Sequence, residues 1–298
     1  MRRLLGFLAL VALLATGALW MISAPDPLPM GEFADDPGGD PARGQTVFTA
    51  AGCASCHHAP ESEDKLVLAG GQRFPSDFGT FIAPNISSHP QQGIGAWSLH
   101  DFANALLRGV SPEGRHYYPA FPYTSYIRME PQDVVDLWSF IRTLPASDTP
   151  SQPHEVGFPF SLRRGLGLWK QLYLDPAWIV PGAESDEMRR GRYLVEALAH
   201  CGECHTPRDA FGGLERDAWL AGAPAPDGKG RIPALTPDKL GWSAEDVAYY
   251  LETGFTPDYD SAGGHMVEVI ANFAKLPPED RAAVAAYVKA LPDGGAMN

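Results

Sequence analysis

Basic residues are scarce in this chain. Its 298 residues carry 23 Lys and Arg against 36 Asp and Glu, a net charge of −13, and no segment gathers enough positive charge to attract a phosphate backbone. Nucleic acid is therefore excluded as a partner. Neither a Walker-type phosphate loop nor a G-x-S-x-G nucleophile elbow is present, so the chain shows no catalytic constellation of those kinds. No stretch sustains an apolar–polar alternation of period two, which predicts very little strand. Methionine is missing between residues 31 and 128, and cysteine is limited to four residues.

One apolar run stands at the N-terminus. Arg2 and Arg3 precede an uncharged stretch from Leu4 to Ile22, long enough to cross a bilayer as a single helix. It is an export signal, either a retained anchor or a cleaved peptide. Ile22-Ser23-Ala24, followed by Pro25, meets the small-residue cleavage pattern only in part, which favours retention. With the two arginines held inside, everything after Ala24 lies outside the cytoplasm, on the periplasmic face, and Trp20 and Met21 sit near the outer interface.

The length suits two domains rather than one, and an internal repeat says where they lie. Cys53-Ala54-Ser55-Cys56-His57 recurs 148 residues later as Cys201-Gly202-Glu203-Cys204-His205. Trp97-Ser98 with Asp101 recurs as Trp242-Ser243 with Asp246, Gly109 as Gly254, and Leu144-Pro145 as Leu291-Pro292. Each unit opens with Arg-Gly, at Arg43-Gly44 and Arg190-Gly191. Segments 1–24 (anchor or signal), 25–42 (linker), 43–145 (first domain), 146–188 (connection) and 189–298 (second domain) follow. Helices are predicted over Pro41 to Ala50, Ser98 to Arg108 and Pro131 to Leu144, and again over Met188 to Ala199, Ser243 to Thr253 and Pro278 to Leu291. The 31 Gly and 28 Pro predict many turns and long ordered loops. Segment 146–188 holds Phe158, Phe160, Trp169, Tyr173 and Trp178, too apolar for a flexible tether, so it is expected to be an ordered strap packed across both domains.

The repeated C-x-x-C-H motif carries the chemistry. Two thiols reach both vinyl groups on one edge of a porphyrin while the next residue turns its imidazole to the iron. All four cysteines fall in the two motifs. A redox dithiol, a disulfide framework or a zinc site would leave the following histidine unexplained twice. The expected cofactors are two covalently bound haem c groups, on Cys53, Cys56 and His57 and on Cys201, Cys204 and His205. The fold expected is mainly α, two tandem class I-like cytochrome c domains joined by the strap, behind an N-terminal transmembrane anchor or signal helix.

The sixth iron ligand is less local. In the second unit Met266 follows Gly263-Gly264-His265 between the middle and closing helices, where a thioether ligand belongs, with His265 as the weaker rival. In the first unit Met129 is the only thioether in the matching loop, its alternative role being to seal the closing helix on the core. His116 is the second candidate and would make a bis-His haem of lower potential. His58, His89, His100, His154 and His200 are read as surface or propionate-side residues without a ligand role.

These residues resemble the multihaem cytochrome c subunits of bacterial membrane-bound dehydrogenases that oxidise alcohols, gluconate, sorbitol, fructose and some aldehydes. The similarity covers nearly all of 43–292. It is carried by Phe78-Gly79-Thr80 with Pro84-Asn85-Ile86, Gly93-Ile94-Gly95-Ala96-Trp97-Ser98, Tyr118-Pro119-Ala120-Phe121-Pro122-Tyr123, Trp169-Lys170, Arg190 to Glu196, His200 to Arg208 and Gly263 to Val269. The resemblance implies an electron-transfer chain that takes electrons from a dehydrogenase catalytic subunit and passes them to a cytochrome, a quinone or an oxidase. Many family members carry a third haem domain after the second, and this chain stops at Asn298, so quinone becomes the weaker expectation. Many also have Met where Phe121 stands, which leaves the first distal ligand open. The alternatives are a dihaem enzyme such as a peroxidase, or a free-standing dihaem shuttle. A thiosulfate-oxidising cytochrome often uses a cysteine distal ligand, and no cysteine is spare here.

Overall fold

The computed structural model describes residues 2–225 and 230–295. The fold is mainly α. An exposed apolar helix, α1 (Arg2–Ile22), leads the chain with no buried residue, long and apolar enough to cross a membrane. Then come α2 (Pro41–Ala50), α3 (Cys53–His57), α4 (Leu99–Ala103) running on into a π-helical stretch (Asn104–Arg108), α5 (Tyr123–Tyr126) and α6 (Pro131–Ile141). The connecting segment contributes α7 (Gly165–Tyr173). The second half holds α8 (Asp186–Tyr193) with a π-helical stretch (Leu194–Leu198), α9 (Gly202–His205), α10 (Pro237–Leu240), α11 (Ala244–Thr253), α12 (Met266–Phe273) and α13 (Pro278–Lys289). Strand among the described residues amounts to two short antiparallel ribbons, β1 (Arg73–Ser76) with β2 (Gly79–Ile82), and β3 (Ala223–Pro224) with β4 (Arg231–Ile232).

Local chemistry sets the helix starts. Asp40 accepts from the Ala42 and Arg43 amides, with Pro41 in the first helical position, a combination that satisfies orphan N–H groups and presets φ. Ser98 with Asp101, and Ser243 with Asp246, close reciprocal capping boxes at matching points of the two halves. Ser185 caps the opening helix of the second half through the Met188 amide, so that helix begins two residues before the predicted Met188.

The Arg-Gly pair that opens each half has a steric explanation. A Cβ on Gly44 would stand 2.0 Å from the Asp136 carbonyl oxygen of α6, and one on Gly191 would stand 2.0 Å from the Ala283 carbonyl oxygen of α13. In both halves the first helix crosses the last at backbone contact, and only glycine allows it. The arginines beside them reach the same closing helices: Arg43 binds the buried Asp136 carboxylate (Nε–Oδ2 2.8 Å), and Arg190 binds Asp280 (Nε–Oδ1 2.7 Å).

The strap is tied to both halves. From the first half, Arg128 donates to the carbonyls of Asp175 and Ala177 (both 2.9 Å). Lys170 in turn caps the carbonyls of Arg108 and Gly109 (2.5 and 2.8 Å) at the end of the first middle helix. From the second half, buried Glu196 accepts from the Ile179 and Val180 amides (2.6 and 3.0 Å) and from Tyr287, whose hydroxyl also takes the Trp219 indole N–H. Trp169 donates to the Phe211 carbonyl and Tyr173 to Asp209. Of the strap aromatics, Trp169, Tyr173 and Trp178 turn inward. Phe160 packs edge-on against Phe78 (ring centroids 4.9 Å) while staying 47% exposed, and Phe158 is 81% exposed.

Candidate functional site

Each C-x-x-C-H motif forms a short helical turn entered through a left-handed residue. In the first half that residue is Gly52 (φ 63°), which breaks α2 from α3. In the second half the same position is His200 (φ 41°), a histidine in a region that side chains seldom occupy. Inside the second motif Gly202 is required because a Cβ there would lie 2.1 Å from the ring of Trp219.

The two motif histidines are held alike. His57 Nδ1 lies 2.9 Å from the Pro84 carbonyl oxygen, and His205 Nδ1 lies 2.8 Å from the Pro233 carbonyl oxygen. A carbonyl only accepts, so each Nδ1 carries the proton and each Nε2 keeps its lone pair. Burial pushes the pKa of both rings down, against the opposing pull of the proline carbonyl, so the rings are neutral at ordinary pH. This is the tautomer and protonation state that a metal ligand needs. Asn85 pins the loop behind Pro84, donating to the Ser147 and Thr149 carbonyls (2.9 and 2.8 Å) and accepting from Ser87 N–H.

The four thiols form no disulfide. Burial raises Cys53 and Cys201 to about 12 and, with the nearby charge of Cys204, raises Cys56 to about 11. These are un-ionised thiols, not the low-pKa thiolates of a redox dithiol. Cys56 and Cys204 are nonetheless solvent-exposed. Two thiols and an imidazole with its Nε2 lone pair available, repeated twice, fit haem c at both motifs.

The motifs also face each other, which the sequence did not suggest. Asn272 of α12 donates to Ser55 inside the first motif (3.0 Å), and Thr124 of α5 donates to Glu203 inside the second (2.9 Å). The two contacts are reciprocal: each half reaches into the other half's motif from the helix before its closing one, as in an isologous interface. Tyr126 and His200 fill the gap between them. Their rings lie 5.7 Å apart at 75°, and the Tyr126 hydroxyl donates to Ala51 O (3.3 Å) at the entry to the first motif. His200 packs on a residue of the other half rather than lying at the free surface. The sign in the sequence was its alignment with Gly52.

The distal candidates do not occupy matching positions. Met266 opens α12 and is partly buried against the core. Met129 is 5% exposed in the core between α5 and α6, with its amide on Tyr126 O, and Leu276 repeats that placement in the second half with its amide on Phe273 O. His116 is buried with Nε2 bonded to the Ser23 carbonyl at 3.0 Å. His265 lies just before α12, 6.2 Å from the ring of Phe74.

Comparison with known proteins adds to this geometry. The cytochrome c family profile matches residues 41–145. A dihaem c-type cytochrome of Cereibacter sphaeroides is 53% identical over 293 residues, covering 98% of both chains. The chain belongs to the multihaem c-type cytochromes. Cytochrome subunits of fructose dehydrogenase from Gluconobacter japonicus and of quinone-dependent alcohol dehydrogenase from Gluconobacter oxydans are 38% and 33% identical over 84% of this chain. It spans about half the length of those two, 52% and 54%. Electron transfer is the function of this cytochrome family, and covalent haem c is its cofactor.

Proposed function

We propose that this c-type cytochrome is the dihaem electron-transfer subunit of a membrane-bound dehydrogenase, built as two tandem class I-like domains, 43–145 and 189–298, across the strap 146–188. A haem c at each motif supplies a one-electron iron couple. Cys53 and Cys56, and Cys201 and Cys204, provide the thioether sulfurs, while His57 and His205 present Nε2 on the proximal side. Met266 would supply the distal thioether in the second domain and Met129 in the first. His116, the alternative to Met129, already commits Nε2 to Ser23 O. The residues Ser55, Asn272, Thr124 and Glu203 hold the two motifs against each other, with Tyr126 and His200 between them, so haems bound at the two motifs would be held in a fixed relation. The chain itself carries out no substrate chemistry. Its donor is a dehydrogenase catalytic subunit and its acceptor a cytochrome, a quinone or an oxidase. The helix α1 keeps it on the periplasmic face of the membrane.

The observation that carries this reading is the matched pair of histidine–proline bonds, His57 to Pro84 and His205 to Pro233. Two imidazoles are oriented in the same way, each beside two thiols that form no disulfide. Purification of the full chain in mild detergent tests it. A large dehydrogenase subunit should co-purify, and its substrate should reduce both haems in the complex but neither in the separated chain. Steady turnover of hydrogen peroxide by the chain alone, with no co-purifying subunit, would overturn it in favour of a peroxidase.

A further inference from the structure

The end of α1 is gripped by the strap. Arg164, at the N-terminal edge of α7, donates Nε to the Ser23 hydroxyl (3.0 Å) and a terminal nitrogen to the Trp20 carbonyl, and its guanidinium lies 4.2 Å from the Trp20 ring centroid. Gly167 packs so tightly on the chain leaving α1 that a Cβ would stand 2.1 Å from the Ser23 carbonyl oxygen. Whatever depth Ser23 takes relative to a bilayer, the first turn of α7 takes as well. If α1 spans the membrane, that depth is the outer interface, where tryptophan and arginine collect.

The surface offered there suits a lipid boundary. Residues 157–173 contain no acidic residue in a chain of net charge −13, and of their three basic residues Arg163 and Arg164 are partly exposed while Lys170 is buried. Arg163 stacks over Tyr118 (4.6 Å) and bonds the His116 carbonyl, so both arginines use backbone, hydroxyl and ring partners rather than carboxylates. Beside them Phe158, Phe160, Leu162, Leu168 and Leu172 are 81, 47, 61, 36 and 72% exposed. Phe211, whose backbone carbonyl accepts from Trp169, is also 72% exposed. Leu168 and Leu172 are one helical turn apart on the face of α7 opposite buried Gly167 and Lys170.

We infer that the strap is a second membrane contact: Phe158, Phe160, Leu162, Leu168 and Leu172 enter the interfacial layer of the bilayer that α1 crosses, with Arg163 and Arg164 at anionic headgroups. The inference rests on α1 being retained as an anchor. Its consequence is orientation. A single spanning helix leaves a soluble head free to rotate, whereas two contacts hold the pair of haem motifs at a set angle to the membrane plane.

The test uses the full haem-loaded chain in nanodiscs of phosphatidylcholine and phosphatidylglycerol carrying an acyl-chain photo-crosslinker, with labelled peptides located by mass spectrometry. Labels should appear in α1 and in 158–172, the strap signal falling at least about threefold when Leu168→Glu and Leu172→Glu are combined, with unchanged haem absorbance as the check on folding. Labelling confined to α1 would overturn the strap contact and leave the anchor standing. Absence of label from α1 as well would overturn the anchor. A strap that stays unlabelled in lipid but becomes protected from exchange on adding the dehydrogenase would make this face a protein interface and overturn the inference.

Discussion

Replacing Gly191 by Ala places a methyl carbon 2.0 Å from the Ala283 carbonyl oxygen and 2.9 Å from the Tyr287 Cβ. Ordinary contact of a methyl carbon with such neighbours needs about 3.4 Å, so α8 and α13 must part by roughly 1 Å or more in a close-packed interior. Overpacking of this kind costs about 1–3 kcal/mol. Alanine returns up to about 1 kcal/mol of helix propensity, leaving a net loss of order 1–2 kcal/mol and a drop in Tm of roughly 2–8 °C. Gly44→Ala, also 2.0 Å from a carbonyl oxygen, that of Asp136, should cost as much, and the two losses should add if the halves have separate helix crossings. Gly263→Ala is the control, since nothing lies within 4 Å of a Cβ there. Thermal unfolding followed by circular dichroism reads the series. A Gly191→Ala protein as stable as Gly263→Ala would refute the account of the Arg-Gly openings.

Three further outcomes are expected. Met266→His should keep one low-spin iron and lower its midpoint potential by a few tenths of a volt, within the roughly 0.8 V that axial ligands span, as followed by spectropotentiometry. Met129→Leu should abolish the Met-to-iron charge-transfer band of the first haem; an unchanged low-spin spectrum and potential would reduce Met129 to the packing role that Leu276 fills in the second half. For Asp136, burial pushes the pKa up, but hydrogen bonds from Arg43, the Asp40 amide and Gln132 outweigh it and hold the carboxylate below its ordinary value of 3.8. A depressed carboxylate contributes stability that is present above pH of about 4 and lost as the pH falls through the folded-state value. The stability gap between wild type and Asp136→Asn in denaturant titrations should therefore narrow below about pH 4, and a gap that is flat from about pH 6 to about pH 3 would contradict the pairing.

Much of the architecture was legible because its signals are local. Pro41 after Asp40, and the Ser98–Asp101 and Ser243–Asp246 boxes, mark helix starts within a few residues of sequence. Adjacent cysteines and histidine declare their own chemistry. What was hidden depends on distant backbone. The acceptors that orient His57 and His205 lie 27 and 28 residues downstream, and a carbonyl has no residue code. The contact of His200 with Tyr126 is hidden in the sequence because the two come from different halves of the chain. The strap reads as ordered from its apolar content, but aromatic content alone does not separate inward Trp169 and Tyr173 from outward Phe158. The π-helical stretches, one in each half but in different helices, follow no periodicity that a 3.6-residue pattern detects.

The central claim is that this chain carries two haems, one on each motif, and it is tested most directly by peptide mass mapping of the purified full-length protein. The account predicts that the peptide containing Cys53, Cys56 and His57 and the peptide containing Cys201, Cys204 and His205 each gain the mass of one covalently attached haem. Bare peptides, or peptides joined by disulfides between those cysteines, would contradict it.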